Sequence, residues 1–269
     1  MSKSVSTLAF QKALLHAPIK TIREWFVDAW TSVNNTSAGQ VRQLLKNDDY
    51  AELLTDRWYA ALPDIERAYK VYNDRYYCVD IWMCFARYSR TYLRALTRPT
   101  KTNSTPFVEM VADEIRGVAD VGCGPGLTSA TLGGMFPDAK ISCTNLKNTD
   151  QWNFITRMSE FFGIENLKPS VHEINHPVDL VFASEYFEHH IAPIEHVREI
   201  IDAVSPRYFV IANAFNTRSI GHFITYTVDG EPVDQSKMSR LFGRTMRDAG
   251  YQQVKMGHFN NKPHVWKRQ

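Results

Sequence analysis

The segment Val118-Ala-Asp-Val-Gly-Cys-Gly-Pro-Gly126 constrains this chain more than any other. A short β-branched run carries an acid, Asp120, and breaks into glycines at alternate positions, Gly122, Gly124 and Gly126; a helix-compatible stretch follows, Leu127 to Met135. That order reads as a strand, a tight turn and a helix start. Glycine lets backbone approach a ligand closely and reach positive φ without a Cβ clash. A turn of this kind also delivers free N–H groups at a helix N-terminus. The G-x-G-x-G spacing differs from the G-x-G-x-x-G of dinucleotide sites, since Leu127 and Thr128 come next. No Lys-Ser/Thr pair follows the glycines, which disfavours a phosphate-binding loop.

The patterns on either side of this turn differ. Residues 1–98 read as helical: Ile19, Ile22, Trp25, Phe26 and Ala29 recur at helical spacing, 34–39 is a loop, and Val41, Leu44 and Leu45 begin another helix. A third helix starts near Pro63, and a long helical pattern runs from about Asp64 to Arg98. The polar stretch 97–104 reads as a hinge, dividing the chain into a helical substrate or accessory domain, 1–104, and a second domain, 105–269. Thr105-Pro106 reads as an N-cap with Pro at the first helical position of a helix to about Ile115. Strands are then expected at 118–121, 139–144, 170–174, 179–184 and 208–212, with helices at 151–162, 194–204 and 235–249 between and after them. A hairpin of 252–259 with 264–267 closes the chain. Alternating strands and helices imply an α/β fold with a doubly wound, mostly parallel sheet, the last hairpin adding an antiparallel edge.

Composition sets looser bounds. The formal net charge of +2 neither requires nor excludes a nucleic-acid partner, so local clustering must decide. Four cysteines with no C-x-x-C pair read as reduced, buried thiols of a cytoplasmic protein. Residues 1–20 lack the sustained apolar stretch of a signal peptide, and no run approaches the ~20 apolar residues of a membrane span.

The turn, with its acid two residues before the first glycine and its strand order, resembles motif I of the class I S-adenosylmethionine (SAM) methyltransferases; the resemblance covers roughly 105–269 and implies a seven-stranded Rossmann-like sheet. It implies that Asp120, Gly122, Cys123, Gly124 and Gly126 hold the methionine part of SAM, with Ser184 nearby on the cofactor side. It puts the ribose at the end of strand two, at Asn145 and Leu146, and the adenine near Glu173 and Asn175. Asn145 departs from the pattern, which has a carboxylate there: an amide has one acceptor oxygen and donates with its nitrogen.

After strand four comes Ser184-Glu-Tyr-Phe-Glu-His-His190. On a helical turn Glu185, Glu188 and His189 share one face. Two carboxylates and an imidazole suit Mg²⁺, Mn²⁺ or Zn²⁺. The E-x-x-E-H motif resembles that of metal-dependent methyltransferases acting on the 2′-hydroxyl of small-RNA 3′ ends, and that of ubiquinone-biosynthesis O-methyltransferases. The first resemblance implies a further His after strand five, for which His222 is the candidate and His190 the rival. The metal-free reading of the same motif is a helix cap and cofactor wall, with His189 or His190 as general base. Tyr186, Asn213 and Asn216 are the acceptor-side candidates.

Arg87, Arg90, Arg94 and Arg98, spaced by three or four, form a basic stripe beside Tyr88 and Tyr92, the composition of a surface that grips phosphates and stacks bases. The plain alternative is a solvated helix face. The sequence therefore points to a SAM-dependent methyltransferase acting on an oxygen, or else a nitrogen, of a nucleic acid. The alternatives are a small-molecule O-methyltransferase and a non-catalytic SAM-fold binding subunit.

Overall fold

A computed structural model describes residues 7–45, 48–100, 104–146, 149–161, 163–171, 174, 177–256 and 262–269. Among the described residues there are nine strands: β1 Gly117–Val121, β2 Lys140–Asn145, β3 Leu167–Val171, β4 Leu180–Ser184, β5 Tyr208–Ala212, β6 Thr225–Val228, β7 Glu231–Asp234, β8 Tyr251–Val254 and β9 His264–Arg268. Seven of them form one sheet in the order β3-β2-β1-β4-β5-β9-β8. The first five strands pair in parallel, and β9 and β8 antiparallel, so the expected fold class is the one found. The order reverses beside β1, with β2 on one side and β4 on the other, and ligands of such sheets bind in the crevice at that point.

β1 and β5 are buried throughout, as strands covered on both faces must be. Helices α1 Thr7–His16, α2 Ile19–Asn34, α3 Ala38–Leu44, α4 Asp48–Ala61, α5 Ile65–Ala68, α6 Arg75–Cys84, α7 Arg90–Leu96 and α8 Phe107–Val111 precede β1; α9 Leu127–Met135, α10 Asp150–Phe161, α11 Pro193–Val204 and α12 Gln235–Asp248 follow it. On one face of the sheet a single buried cluster joins the N-terminal helices to the sheet's own: Phe26, Trp30 and Trp82 pack with Cys123, Leu127 and Phe154. The Phe26 and Trp82 rings stack 5.2 Å apart, and those of Trp30 and Phe154 lie 5.1 Å apart. On the other face Val197, Ile201, Met238 and Phe242 pack against Val181 and Phe209. No helix among the described residues is long and apolar enough to cross a membrane.

Several elements differ from expectation for identifiable reasons. The long helix of 64–98 is three pieces. Asp74 stops one segment and caps the next, its side chain accepting from the Tyr76 amide at 2.8 Å. A π turn, Phe85–Ser89, then shifts the register between α6 and α7. β3 begins three residues earlier than expected and carries Pro169, tolerable because β3 lies at the sheet edge. Pro106 is the N-cap of α8 rather than its first helical residue, and α8 is a single short turn. The β6–β7 hairpin was missed although its turn, Asp229-Gly230, is a strong hairpin signal; both residues have positive φ, 50° and 84°. Residues 101–103 of the hinge and 257–261 of the terminal hairpin lie outside the described residues.

Candidate active site

The carboxyl ends of β1, β2 and β4 open into a cavity of about 720 Å³, within the range of small-molecule sites. The turn after β1 forms one wall. Gly122, Gly124 and Gly126 have φ of 66°, 54° and 81°, which is why glycine stands at each. A Cβ on Gly122 would lie 2.2 Å from Tyr186 Cδ2, and one on Gly126 2.3 Å from Ile155 Cδ1. Asp120, at the end of β1, is buried, and Ser129 Oγ donates to its Oδ2 at 2.5 Å. Burial pushes the Asp120 carboxyl up to about 7, with the Ser129 hydrogen bond opposing. The Cys123 amide donates to the Thr144 carbonyl at 2.9 Å, which ties the turn to β2.

Asn145 works inward. Its Nδ2 donates to the Gly124 carbonyl at 2.7 Å and to Gln151 Oε1 at 3.2 Å, and its Oδ1 accepts from the Leu146 amide at 2.7 Å. The residue at the expected ribose position thus braces the glycine turn. Asp120, Gly122, Cys123, Gly124, Asn145, Leu146 and Ser184 all line the cavity; Gly126 sits behind it, shaping the turn. Glu173 and Asn175 lie outside the described residues.

The opposite wall comes from the segment after β4 and from the N-terminal helices. Glu185 has φ 52°, a left-handed conformation rare for glutamate, fixed by its amide donating to the Ala212 carbonyl of β5 at 2.7 Å. A 3-10 turn, Phe187–His189, follows. This backbone splits the group expected to share one helical face. Glu185 points into the cavity and accepts from the Tyr92 hydroxyl at 3.0 Å. Glu188 is fully buried, its Oε1 accepting from the Ala214 amide at 2.7 Å and its Oε2 with no hydrogen-bond partner among the described residues. Burial first, and the Glu185 carboxylate second, push the Glu188 carboxyl up to about 8. Burial also raises Glu185, opposed by Lys262, whose Nζ donates to the Asn213 carbonyl at 2.7 Å.

His189 and His222 meet edge to face, ring centres 4.8 Å apart. His189 Nδ1 hydrogen-bonds the Tyr72 hydroxyl at 3.0 Å, and His222 Nδ1 the Thr217 carbonyl at 2.9 Å. Burial drives His189 well below its usual range and His222 down to about 4, so both are neutral at pH 7. His190, pushed down to about 3 by burial, stacks on His196 at 4.1 Å, and Tyr186 Oη hydrogen-bonds His196 Nε2 at 2.8 Å. Among the described residues, no three His, Cys, Asp or Glu side chains come together as a metal-ligand group. The expected set of Glu185, Glu188, His189 and His222 is not brought together as such a group among these residues: Glu188 Oε1 accepts from the Ala214 amide, and His189 Nδ1 is engaged by Tyr72.

The helical expectations also change. Asn216 is exposed, and neither it nor Asn213 lines the cavity; the Asn213 carbonyl accepts from Lys262, which does. Of the four arginines only Arg87 and Arg98 are exposed. Arg90 is buried and donates to the carbonyls of Leu14, at 2.9 Å, and Ala17; Arg94 donates to that of Leu15 at 2.8 Å. Both guanidinium groups serve the carbonyls at the end of α1, where orphan acceptors collect. The π turn is the physical reason, since it rotates Arg90 and Arg94 away from Arg87. The sequence marked Tyr88 and Tyr92 only as a base-stacking surface and missed Tyr77, Phe85 and Ser89, which line the cavity with them, joined by Tyr69 and Tyr72. Ser89 Oγ lies 2.9 Å from Ser184 Oγ. Tyr88 and Leu146, lining residues that are also exposed, mark the mouth.

No protein-family model matches the chain, and no curated protein sequence matches it. Similar solved structures include an O-methyltransferase family protein from Burkholderia thailandensis, with TM-score 0.46 and 12% identity over 97% of this chain and 95% of that one. The N-terminal domain of EvdMO1, solved with S-adenosylhomocysteine (SAH) bound, gives TM-score 0.42 and 13% identity over 60% of this chain and 74% of that one. The cyclase SpnF gives 0.38 and 14% over 55% of this chain, which spans 57% of that protein's length. SAM-dependent methyltransferases, O-methyltransferases included, are thus among the structures this chain is similar to.

Proposed function

We propose that this chain is a SAM-dependent methyltransferase whose acceptor is a hydroxyl of a small molecule. The observation that carries the reading is the two-walled cavity. A glycine turn with a buried acid stands on one side, at the switch point where such sheets bind ligands. A set of tyrosines, neutral imidazoles and the Glu185 carboxylate stands on the other. The turn fits the methionine part of SAM: Gly122 and Gly124 bring backbone to the cavity wall, and Asp120 gives it an acceptor. Thr144, Thr149 and Gln151, which line the same wall, would replace the missing ribose carboxylate.

Methyl transfer is an in-line displacement at the sulfonium carbon. The protein's task is to align the acceptor oxygen with the methyl group and to take up the hydroxyl proton. Burial keeps His189 and His190 neutral at pH 7, so each presents the cavity an uncharged imidazole that can hydrogen-bond the acceptor hydroxyl but holds a proton poorly. A small acceptor is preferred to a nucleic acid because the N-terminal helices contribute to the cavity, while Arg90 and Arg94 are occupied at the end of α1.

The test is calorimetric titration with SAM and SAH, then methyl-labelled SAM offered with a panel of phenols, aliphatic alcohols and amines, and with short RNA and DNA. Label in a small hydroxyl compound supports the reading. Label only in nucleic acid shifts it to the alternative acceptor. SAM binding with no transfer to any compound favours the non-catalytic alternative, and absence of SAM binding overturns the assignment.

A further inference from the structure

Methylating a hydroxyl forms an O–C bond, breaks the S–C bond of the sulfonium and releases one proton. In a buried cavity that proton needs both an acceptor and a way out. Burial disfavours the charged forms of His189 and His222, and it lowers His196 too, but His196 has the Glu199 carboxylate beside it to hold an imidazolium. A hydrogen-bonded chain of another kind leads from the cavity to water. Tyr186 lines the cavity, with its ring against the position where Gly122 would carry a Cβ. Its Oη lies 2.8 Å from His196 Nε2, and His196 Nδ1 lies 3.4 Å from Glu199 Oε2. Glu199 is 75% exposed and His196 26% exposed. The connection is built by α11, whose i, i+3 spacing puts Glu199 beside His196. His190 stacks on one face of the His196 ring, and Phe187 packs 6.0 Å away.

We infer that Tyr186, His196 and Glu199 form the route by which the acceptor's proton leaves the cavity. The inference rests on the methyl-transfer reading above. The acceptor proton passes to Tyr186 Oη as the phenol proton moves to His196 Nε2. The resulting imidazolium, held by the Glu199 carboxylate, gives its Nδ1 proton to Glu199 and then to water, and the ring returns to its Nδ1–H tautomer through solvent. One proton leaves for each methyl transferred. Tyr186 and His196 both line the cavity; Tyr186 Oη takes the acceptor's proton, and His196 and Glu199 pass it on. None of the groups belongs to the glycine turn, so cofactor binding and proton release are served by different residues.

Two measurements test the route. Nitrogen-15 NMR of the free protein needs no acceptor: His196 is expected as the Nδ1–H tautomer, its Nε2 signal moving in Tyr186→Phe and its Nδ1 signal in Glu199→Gln. A His196 ring that responds to neither change overturns the relay whether or not the protein methylates anything. With the best hydroxyl acceptor from the panel, His196→Gly is expected to lower kcat about 100-fold with KM for SAM unchanged, and added imidazole to restore at least tenfold. His190→Gln, which removes only the stacked neighbour, should show no imidazole rescue. A His196→Gly enzyme with kcat within twofold of the parent, or a loss that imidazole leaves untouched, overturns the proposal. SAM binding that persists in these variants separates failure of the relay from failure of the methyltransferase reading.

Discussion

Asn145→Asp separates what family resemblance implies from what the structure implies. By resemblance, the change restores a carboxylate at the end of strand two and should tighten SAM binding through the ribose hydroxyls. By the structure, it removes the only donor on a side chain that bonds the Gly124 carbonyl at 2.7 Å and Gln151 Oε1 at 3.2 Å. Each lost hydrogen bond costs about 0.5–1.5 kcal/mol, and a carboxylate oxygen against a carbonyl oxygen adds repulsion. For two such contacts on a half-buried side chain the sum is about 2–3 kcal/mol. At about 2–4 °C per kcal/mol for a chain of this size, Tm should fall by about 4–12 °C. The damage lands on the glycine turn itself, so the Kd for SAH should rise at least tenfold. Calorimetric titration and thermal scans read both quantities. The carboxyl facing the Gly124 oxygen has a raised pKa, so the stability deficit should grow as pH rises through its titration range and shrink below about 4, where the protonated acid donates again. Tighter SAH binding at an unchanged Tm would refute the reasoning and return Asn145 to the ribose.

Gly126→Ala combines a positive φ with a Cβ 2.3 Å from the buried Ile155, whereas Gly230→Ala meets a positive φ alone, with nothing within 4 Å; the second should cost about 1–2 kcal/mol and leave SAM affinity untouched, the first about 1–3 kcal/mol more and weaken SAM as well. Glu188 titrates near 8 in the fold against an ordinary 4.5, so it stabilises fully below 4.5 and progressively less as pH rises towards 8; Glu188→Gln keeps the Ala214 hydrogen bond and should flatten the fall in Tm between pH 5 and pH 8, as thermal scans across that range would show. Arg90→Ala strips donors from the Leu14 and Ala17 carbonyls and should cost about 2–4 kcal/mol in denaturant unfolding, without altering the salt dependence of any binding to RNA.

The strands that flank the site and the turn were legible because their signals are local. Buried β-branched runs and glycines that need positive φ carry their meaning within ten residues, and β1, β2, β4 and β5 fell within a residue of expectation. The other wall of the site was not legible, and the segment from Phe85 to Leu96 shows why. Its spacing of arginines and aromatics is real, but periodicity ranks faces of one helix and says nothing about what covers each face. The π turn at Phe85–Ser89 rephases the helix at the point where it crosses the cavity, so that Arg90 turns towards α1 while Ser89 and Tyr92 reach Ser184 and Glu185. His196 is a further case: it sits on the amphipathic α11, and only the fold brings it to Tyr186.

The same logic applies to E-x-x-E-H. Its i, i+3, i+4 spacing promises a shared face only if the backbone is α-helical. One left-handed residue at Glu185, imposed by the hydrogen bond of its amide to Ala212, divides the motif between the cavity and the core. What the divided motif provides is an acidic group held at the cavity wall by Tyr92, backed by a second, buried acid. Under the methyl-transfer reading proposed above, Glu185 lines the cavity wall beside the acceptor, and the proton leaves through Tyr186 and the α11 side chains His196 and Glu199.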